Sequence, residues 1–243
     1  MTTNQTSGRR GLVWAILGGA VLIAGLVAII VSSLLTQPAP SPRGTASESP
    51  SSAPPTTQAP PGDVLDASVD KQGWVPEPIT TDREVYIRAA FEAASTFDTQ
   101  LSTREEWLDY LDTWFTPDTR YTEAEQAARM KAAQLELRQG VVLPQEEWDS
   151  LANEAGRVVA ATGGDVAYVP VTDDASGDMS IGTSDVTLLF TRSDGSGGET
   201  SYEEQVRVSV QVLCGPGSVP TPDSAQQAGD CKVVRYFTEP LEP

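Results

Sequence analysis

The sequence predicts an α+β fold in which helices pack on a curved, cone-like antiparallel sheet, behind an N-terminal transmembrane helix and a disordered Pro/Ser-rich linker. Three observations support this prediction. Residues 11–35 contain no charged side chain. Residues 36–62 are rich in Pro and Ser and almost free of large apolar residues. The rest of the chain has helical periodicity in its first half and strand alternation in its second half, which is typical of α+β domains.

The uncharged segment 11–35 is long enough to cross a membrane as one helix. About 20 apolar residues, rising roughly 1.5 Å each, span the hydrocarbon core of a bilayer. Arg9 and Arg10 lie directly before the segment, and the next basic residue is Arg43. Because Lys and Arg are retained on the cytoplasmic side, we expect a single-pass protein of the cell membrane with residues 1–10 in the cytoplasm. Residues 11–35 would contact membrane lipid, and the C-terminal domain would be extracellular.

A cleaved secretory signal is the alternative interpretation of the same segment. Signal peptides have a shorter apolar region, followed by a cleavage site with small residues in an Ala-x-Ala pattern. The segment from Ser32 to Gln37 offers no such site. The sequence therefore favours a membrane anchor over a signal peptide.

The linker, residues 36–62, is predicted to be disordered. It contains eight Pro residues and too few apolar side chains to bury a core. Its expected role is that of a spacer, which holds the domain formed by residues 63–243 away from the lipid.

Four helix-start signals follow one another in the first half of that domain. The first opens an apolar face that is expected to continue to Leu101. The second precedes Trp107 and Trp114, whose helical spacing indicates core residues rather than a pocket. The third helix is expected to end at Gly140, and the end of the fourth, at Gly156 or beyond it, stays open. The four start segments are Thr81–Glu84, Ser102–Glu106, Thr122–Glu125 and Pro144.

The second half of the domain is predicted to form strands and one disulfide. Apolar residues alternate with polar ones, and a Gly-rich loop at 193–198 is expected to turn one strand back on the next. Cys214 ends one predicted strand and Cys231 begins another. Two cysteines outside the cell predict one disulfide between them. The predicted strands cover residues 165–171, 186–191, 206–212 and 232–238.

Composition excludes several function classes. The chain has 34 acidic residues, 16 Lys plus Arg and no His. Removing Arg9, Arg10, Arg43 and Glu48 leaves the segment from residue 63 onward with 33 acids against 13 bases. Such a surplus repels phosphate backbones, so we expect no direct nucleic-acid binding.

The absence of His also removes the commonest general base and the Ser-His-Asp arrangement. Two cysteines cannot form a four-ligand zinc site by themselves. The acidic loop with Asp173, Asp174 and Asp178 does not match the spacing of a calcium loop, so it is interpreted as a solvated loop. We therefore predict no catalytic residue, no cofactor and no metal, and a protein that is not an enzyme.

Two segments carry a resemblance to a known family. Val85–Ala94 and Arg104–Leu111, with Phe115-Thr116-Pro117-Asp118 after them, resemble helices of bacterial single-pass proteins with a nuclear transport factor 2-like outer domain, found in actinobacterial conjugative elements. The resemblance implies a scaffold subunit of a type IV secretion system, which assembles a transfer channel without catalysis. The additional helix between Tyr121 and Gln145 and the loop between the cysteines depart from that pattern.

The sequence thus predicts a non-catalytic, membrane-anchored scaffold or interaction subunit of a cell-envelope complex, possibly in conjugative DNA transfer. Its partners would be other proteins or copies of itself. The alternative is an extracellular module of the same fold that binds a small ligand, because the concave sheet of such a cone can hold an apolar molecule. An enclosed apolar cavity would favour the ligand module, and an exposed apolar patch would favour the scaffold.

Overall fold

The computed structural model describes residues 62–241. The predicted cytoplasmic tail (1–10), the predicted transmembrane helix (11–35) and the predicted linker up to residue 61 lie outside the described residues. None of the helices between residues 62 and 241 combines the length and the apolar character needed to cross a membrane.

The described chain first forms helices and then an antiparallel sheet. A short 3-10 helix, Ala67–Gln72, precedes the α-helices, and the strands follow one another in the sheet in chain order, β1-β2-β3-β4-β5. The helices are α1 (Arg83–Ala93), α2 (Arg104–Asp112), α3 (Glu123–Gly140) and α4 (Gln145–Asn153). The strands are β1 (Phe97–Asp98), β2 (Arg157–Val169), β3 (Met179–Ser193), β4 (Glu199–Leu213) and β5 (Lys232–Phe237). The α+β class with helices on a curved antiparallel sheet is therefore confirmed.

Local capping explains where the helices begin. Thr103 and Glu106 form a reciprocal capping box at the start of α2, and Thr122 and Glu125 form another at the start of α3. Such boxes satisfy backbone N–H groups that have no partner within the helix. At α1 the cap is Asp82, whose carboxylate accepts hydrogen bonds from the backbone N–H groups of residues 84 and 85. Each start lies within its predicted segment.

The predicted continuation of α1 to Leu101 is wrong. The helix ends at Ala93, Phe97 enters β1 opposite Val158, and Leu101 is 53% exposed. The Phe97 ring stacks on Trp148 of α4 at a centroid distance of 4.2 Å. This burial against a distant helix outweighs the helical periodicity of the segment, because propensity is a weak preference that tertiary packing overrides.

The sheet is built around the long β3–β4 hairpin. All 15 residues of β3 face residues of β4, whereas β5 pairs with β4 only from Ser209 to Leu213. Register irregularities lie between Gly163 and Ala167 in β2 and, opposite Gln211 and Val212 of β4, at Val234 in β5. Bulges of this kind bend strands and increase their twist. They contribute to the curvature that gives the sheet a concave face beneath the helices.

Aromatic side chains form the centre of the core between the helices and the sheet. Trp107 and Trp114 are both fully buried, which confirms them as core residues. Trp107 lies 4.9 Å from Phe97 and 5.6 Å from Trp148, measured between ring centroids. Aromatic contacts at these separations add to the hydrophobic gain of burial.

The structure contains a disulfide between Cys214 and Cys231. It connects the end of β4 to the residue before β5. The loop between the two cysteines is also held against the segment after α2, since the backbone N–H of Val219 donates to the hydroxyl of Thr116 at 2.8 Å. The bridge and this hydrogen bond together position the start of β5.

Candidate functional site

An apolar groove of about 440 Å³ lies between the concave face of the sheet and the turn that joins α3 to α4. Its floor comes from β2, β3 and β4, and its wall comes from the helix turn and from the residues that follow α1. The residues that define it are Ala94, Phe97, Val141, Val142, Leu143, Pro144, Val158, Leu188, Phe190, Val206, Val208 and Phe237, with Ser95, Gln139, Gly140, Glu204, Arg207 and Thr238 among them.

Strand alternation places the floor residues on one face. Leu188 and Phe190 of β3 and Val206 and Val208 of β4 are each two residues apart, so their side chains point to the same side of the sheet. Further along β4, Val210 on that same face is fully buried in the core. The groove is therefore the part of the concave face that the helices leave uncovered.

Gly140 allows the wall of the groove to come close to the sheet. A Cβ atom at this position would overlap the Cγ2 atom of Thr238, which lies directly after β5. The end of α3 and the end of β5 can therefore meet only if residue 140 has no side chain. Gly140 and Thr238 both line the groove.

An aromatic pair extends the concave face beyond the groove. The rings of Phe190 and Tyr202 stack with centroids 4.9 Å apart and planes 2° apart. The guanidinium of Arg192 donates to the hydroxyl of Tyr202 at 2.6 Å and also lies over its ring. These contacts fix Tyr202 along β4, next to the groove.

The outer edge of β2 is closed by side chains from α1 and from the residues directly after it. The backbone N–H of Ala160 donates to the hydroxyl of Thr96 at 3.0 Å, and that of Thr162 donates to the carboxylate of Glu92 at 3.1 Å. Arg88 donates to the carbonyl oxygen of Gly164 at 2.7 Å. Edge groups that already have partners cannot pair with another strand.

The outer edge of β5 is bonded near its start, at Val233. The backbone N–H of Val233 donates to the carbonyl oxygen of Trp114 at 2.9 Å, and the N–H of Thr116 donates to the carbonyl oxygen of Val233 at 2.8 Å. β4 differs from both. Within residues 62–241, no strand pairs with Glu199–Val208 on the side away from β3. This open edge borders the apolar groove.

Two charged side chains lie among the residues that line the groove. Glu204 lies at its rim, and Arg207 forms an ion pair with Asp185 at 3.0 Å. The chain has no His to act as a base beside the Ser95 or Thr238 hydroxyls. An apolar surface beside a free strand edge can bind aliphatic side chains and an extended backbone at the same time.

The acidic loop has a local structural explanation. The carboxylate of Asp174 accepts hydrogen bonds from the backbone N–H groups of Ser176, at 3.0 Å, and Met179, at 2.8 Å. It thus fixes the turn that leads into β3. Across the described part of the chain, no three His, Cys, Asp or Glu side chains are arranged to hold a metal ion.

A buried ion pair between Glu77 and Lys232 was not predicted from the sequence. Both side chains are at most 1% exposed, and the Nζ of Lys232 lies 2.9 Å from a carboxylate oxygen of Glu77. The same oxygen accepts hydrogen bonds from the hydroxyl of Tyr86, at 2.6 Å, and from the amide of Gln226, at 3.1 Å. A signal was present in the sequence, because Lys232 begins a predicted strand in which Arg235 is the one other charged residue.

Lys232 has its remaining donors satisfied as well. Its Nζ donates to the carbonyl oxygen of Thr113 at 2.7 Å and to the hydroxyl of Thr221 at 2.8 Å. The pair therefore connects four regions: the segment before α1, the end of α2, the disulfide loop and β5. It lies away from the groove residues, and its role is to hold the edge of the sheet in place.

Three buried tyrosines predict a loss of stability in alkali. Burial raises the pKa of Tyr86, with the Glu77 carboxylate as the next cause, and burial likewise raises the pKa of Tyr110 and Tyr236. Above pH about 10 the unfolded chain releases protons that the folded chain retains. The free energy of unfolding should therefore fall above pH about 10, by up to about 1.4 kcal/mol per pH unit for each tyrosine.

Urea unfolding between pH 8 and pH 11 measures this dependence. Burial lowers the pKa of Lys232, which acts in the opposite direction but only up to its unfolded value near pH 10.4. The variant Tyr236→Phe should unfold with the release of about one proton fewer above pH about 10, so its free energy of unfolding should fall less steeply with pH. A free energy of unfolding that stays constant from pH 9 to pH 11 would contradict the prediction.

Comparison with known proteins gives two structural likenesses. No protein-family model matches the chain, and no curated protein sequence matches it. An IcmL-like type IV secretion system protein from Legionella pneumophila is similar in structure, with a TM-score of 0.40 and 12% identity over 67% of this chain and 95% of that one. CagV from Helicobacter pylori, a VirB8 homologue of a type IV secretion system, gives a TM-score of 0.33 and 16% identity over 63% of this chain and 93% of the other. At these TM-scores the likeness carries no argument about function.

Proposed function

We propose that the protein is a non-catalytic interaction subunit of a cell-envelope complex and that its outer domain binds a protein partner at the groove. One observation carries the proposal: an exposed apolar groove lies directly beside the open edge Glu199–Val208 of β4. Soluble domains rarely leave such surfaces uncovered unless they bind something.

The location and the type of complex are part of the same proposal. Residues 11–35 hold the chain in the membrane lipid, with residues 1–10 in the cytoplasm and the domain outside the cell. The nuclear transport factor 2-like character, the actinobacterial origin and a role in type IV secretion or conjugative DNA transfer follow from the resemblance in residues 81–120. The acidic surplus argues that the partner is protein rather than DNA.

Site-specific photocrosslinking in cells tests the proposal. A photoreactive phenylalanine derivative is placed at Glu204, on the rim of the groove, and at Glu123, which is exposed on α3 and outside the groove. We expect the probe at position 204 to crosslink to one or a few envelope proteins and the probe at position 123 not to do so. Crosslinks that are absent from both positions, or the same from both, would refute the proposal.

A small apolar ligand is the second candidate occupant. The volume of about 440 Å³ falls within the range of small-molecule sites, and most of the lining is aliphatic or aromatic. Native mass spectrometry of the full-length protein, purified in detergent, would then show an added mass that organic solvent releases. The variant Leu188→Trp, which fills the floor of the groove, should lose that mass.

A further inference from the structure

We propose that the partner binds by strand addition: an extended polypeptide segment pairs with β4 along Glu199–Val208 and places alternate apolar side chains in the groove. The segment carries Lys or Arg at its other positions. This inference rests on the proposed function, because it specifies how a protein partner occupies that same groove.

The backbone of β4 provides the template. β4 runs from Glu199 to Leu213, but β5 covers it only from Ser209 onward. After Phe237 the chain leaves the sheet, and Leu241 bonds to the hydroxyl of Ser209. The uncovered length corresponds to roughly 33 Å of strand. Along it, about half of the N–H and C=O groups point away from β3, as in any antiparallel edge.

The outer edges of β2 and β5 differ from the unpaired edge of β4, because they already have hydrogen-bond partners. Arg88, Glu92 and Thr96 close the outer edge of β2 by direct hydrogen bonds. Residues 114 and 116 bond in the same way to the backbone of Val233 near the start of β5. Proteins normally protect exposed edges against pairing with other chains. A fold that closes two edges and leaves a third one open, next to an apolar groove, has the features of a docking site.

The side chains of β4 define what the added segment must contain. Val206 and Val208 face the groove and are half-buried. An added strand would occupy the position that β5 would have if it continued beyond Phe237. Every second residue of that strand would then point to the concave face, on the same side as Leu188 and Val206. Aliphatic side chains at those positions would fill the groove.

Charge distinguishes a basic partner from a second copy of this chain. Glu203 and Glu204 are exposed in the middle of the open edge. If two β4 strands pair antiparallel about this midpoint, carboxylates oppose carboxylates, which is unfavourable. By strand alternation, Lys or Arg at the other positions of the added strand would share the face of Glu203 and meet its carboxylate with the favourable sign, whereas Glu204 lies on the groove face with Val206. The charges therefore favour a basic segment of another protein.

The experiment uses the full-length chain in detergent and a defined probe. The probe is an acetylated ten-residue peptide that alternates Lys and Val. Hydrogen exchange followed by mass spectrometry reports on the backbone, and fluorescence anisotropy of a labelled probe measures affinity. We expect slower exchange of the amides in residues 199–208 when the peptide is bound. Protection of the α3–α4 turn alone, without β4, would overturn strand addition.

Two control peptides separate the contribution of charge from the contribution of backbone hydrogen bonds. One alternates Glu and Val, and it should bind at least about tenfold more weakly because its charges repel the edge. The other peptide keeps the Lys and Val side chains but carries N-methyl groups on alternate residues. These groups remove backbone N–H donors, so the peptide cannot form the full set of hydrogen bonds with β4. Equal affinity of the N-methylated and the unmodified peptide would also overturn the inference.

Matched variants of the protein test the charge argument. The double change Glu203→Lys with Glu204→Lys should weaken binding of the basic probe at least about tenfold. The control, Glu105→Lys with Glu123→Lys, makes the same change of charge at two exposed helix starts and should bind the probe like the wild type. Equal binding by the two double variants would contradict a charge-selected edge.

The outcomes also distinguish this inference from the proposed function. If position 204 crosslinks to an envelope protein while the β4 amides stay unprotected by the probe, the interaction role stands and strand addition fails. If the free protein is a dimer by light scattering and residues 199–208 are already protected, the occupant is a second copy, and the inference of a basic partner is overturned. If no crosslink forms at position 204, the proposed function itself fails.

Discussion

Replacing Lys232 by Ala is expected to lower the free energy of unfolding by about 3–5 kcal/mol, the cost of breaking a buried ion pair. The change leaves the carboxylate of Glu77 buried without its cation, although Tyr86 and Gln226 still donate to it. Its second oxygen has no hydrogen-bond partner among the described residues. Urea unfolding of the full chain at pH 7, followed by Trp fluorescence, measures the loss.

Two controls identify the cause of that loss. Lys71 is exposed on the short 3-10 helix, and Lys71→Ala should change the free energy of unfolding by less than about 0.5 kcal/mol. The double change Glu77→Gln with Lys232→Met removes both charges together and should cost clearly less than Lys232→Ala. If Lys232→Ala costs no more than Lys71→Ala, the ion pair does not stabilise the fold as described.

Replacing Trp107 by Ala is expected to cost about 3–5 kcal/mol, the usual range for deleting a large buried aromatic side chain. The ring is fully buried and contacts both Phe97 and Trp148. Its removal would leave a cavity between α2, α4 and β1, which the rigid sheet beneath cannot fill. Thermal or urea unfolding gives the size of the effect.

The variant Trp107→Phe tests whether packing alone explains the role of this residue. The indole N–H of Trp107 is buried and has no hydrogen-bond partner among the described residues. Its loss should therefore cost nothing, and Phe retains much of the ring volume. We expect Trp107→Phe to cost less than half as much as Trp107→Ala. Equal costs for the two variants would mean that the N–H has a partner, such as a buried water molecule.

Local signals were sufficient to predict most elements of the fold. The capping residues Thr103 and Thr122 mark helix starts: the Thr103 hydroxyl accepts from the backbone N–H of Glu106, and the Thr122 hydroxyl bonds to the carboxylate of Glu125. Alternation in β4 predicted a strand because one face of it is buried. The error lay at the end of α1, where Phe97 follows the helical period but joins β1. No local pattern reveals such a contact, because its partner Trp148 lies about fifty residues away.

The candidate site was less predictable than the fold. The sequence predicted a concave apolar surface as one alternative, and the groove contains such a surface. It did not anticipate that β5 would stop pairing at Ser209 or that α1 would close the edge of β2. Strand alternation reports which face of a strand is buried, but it does not report how far a neighbouring strand extends.

By itself the sequence determined the class of the domain, the order of its elements, the acidic charge and the positions of the two cysteines. These properties depend on composition and on residues close together in the chain. Only the tertiary structure decided the pairing of Glu77 with Lys232, which are 155 residues apart, the formation of the exposed groove and the open edge of β4. Each of these depends on which distant segments meet and where they separate, and that is set by the packing of the whole domain rather than by local preference.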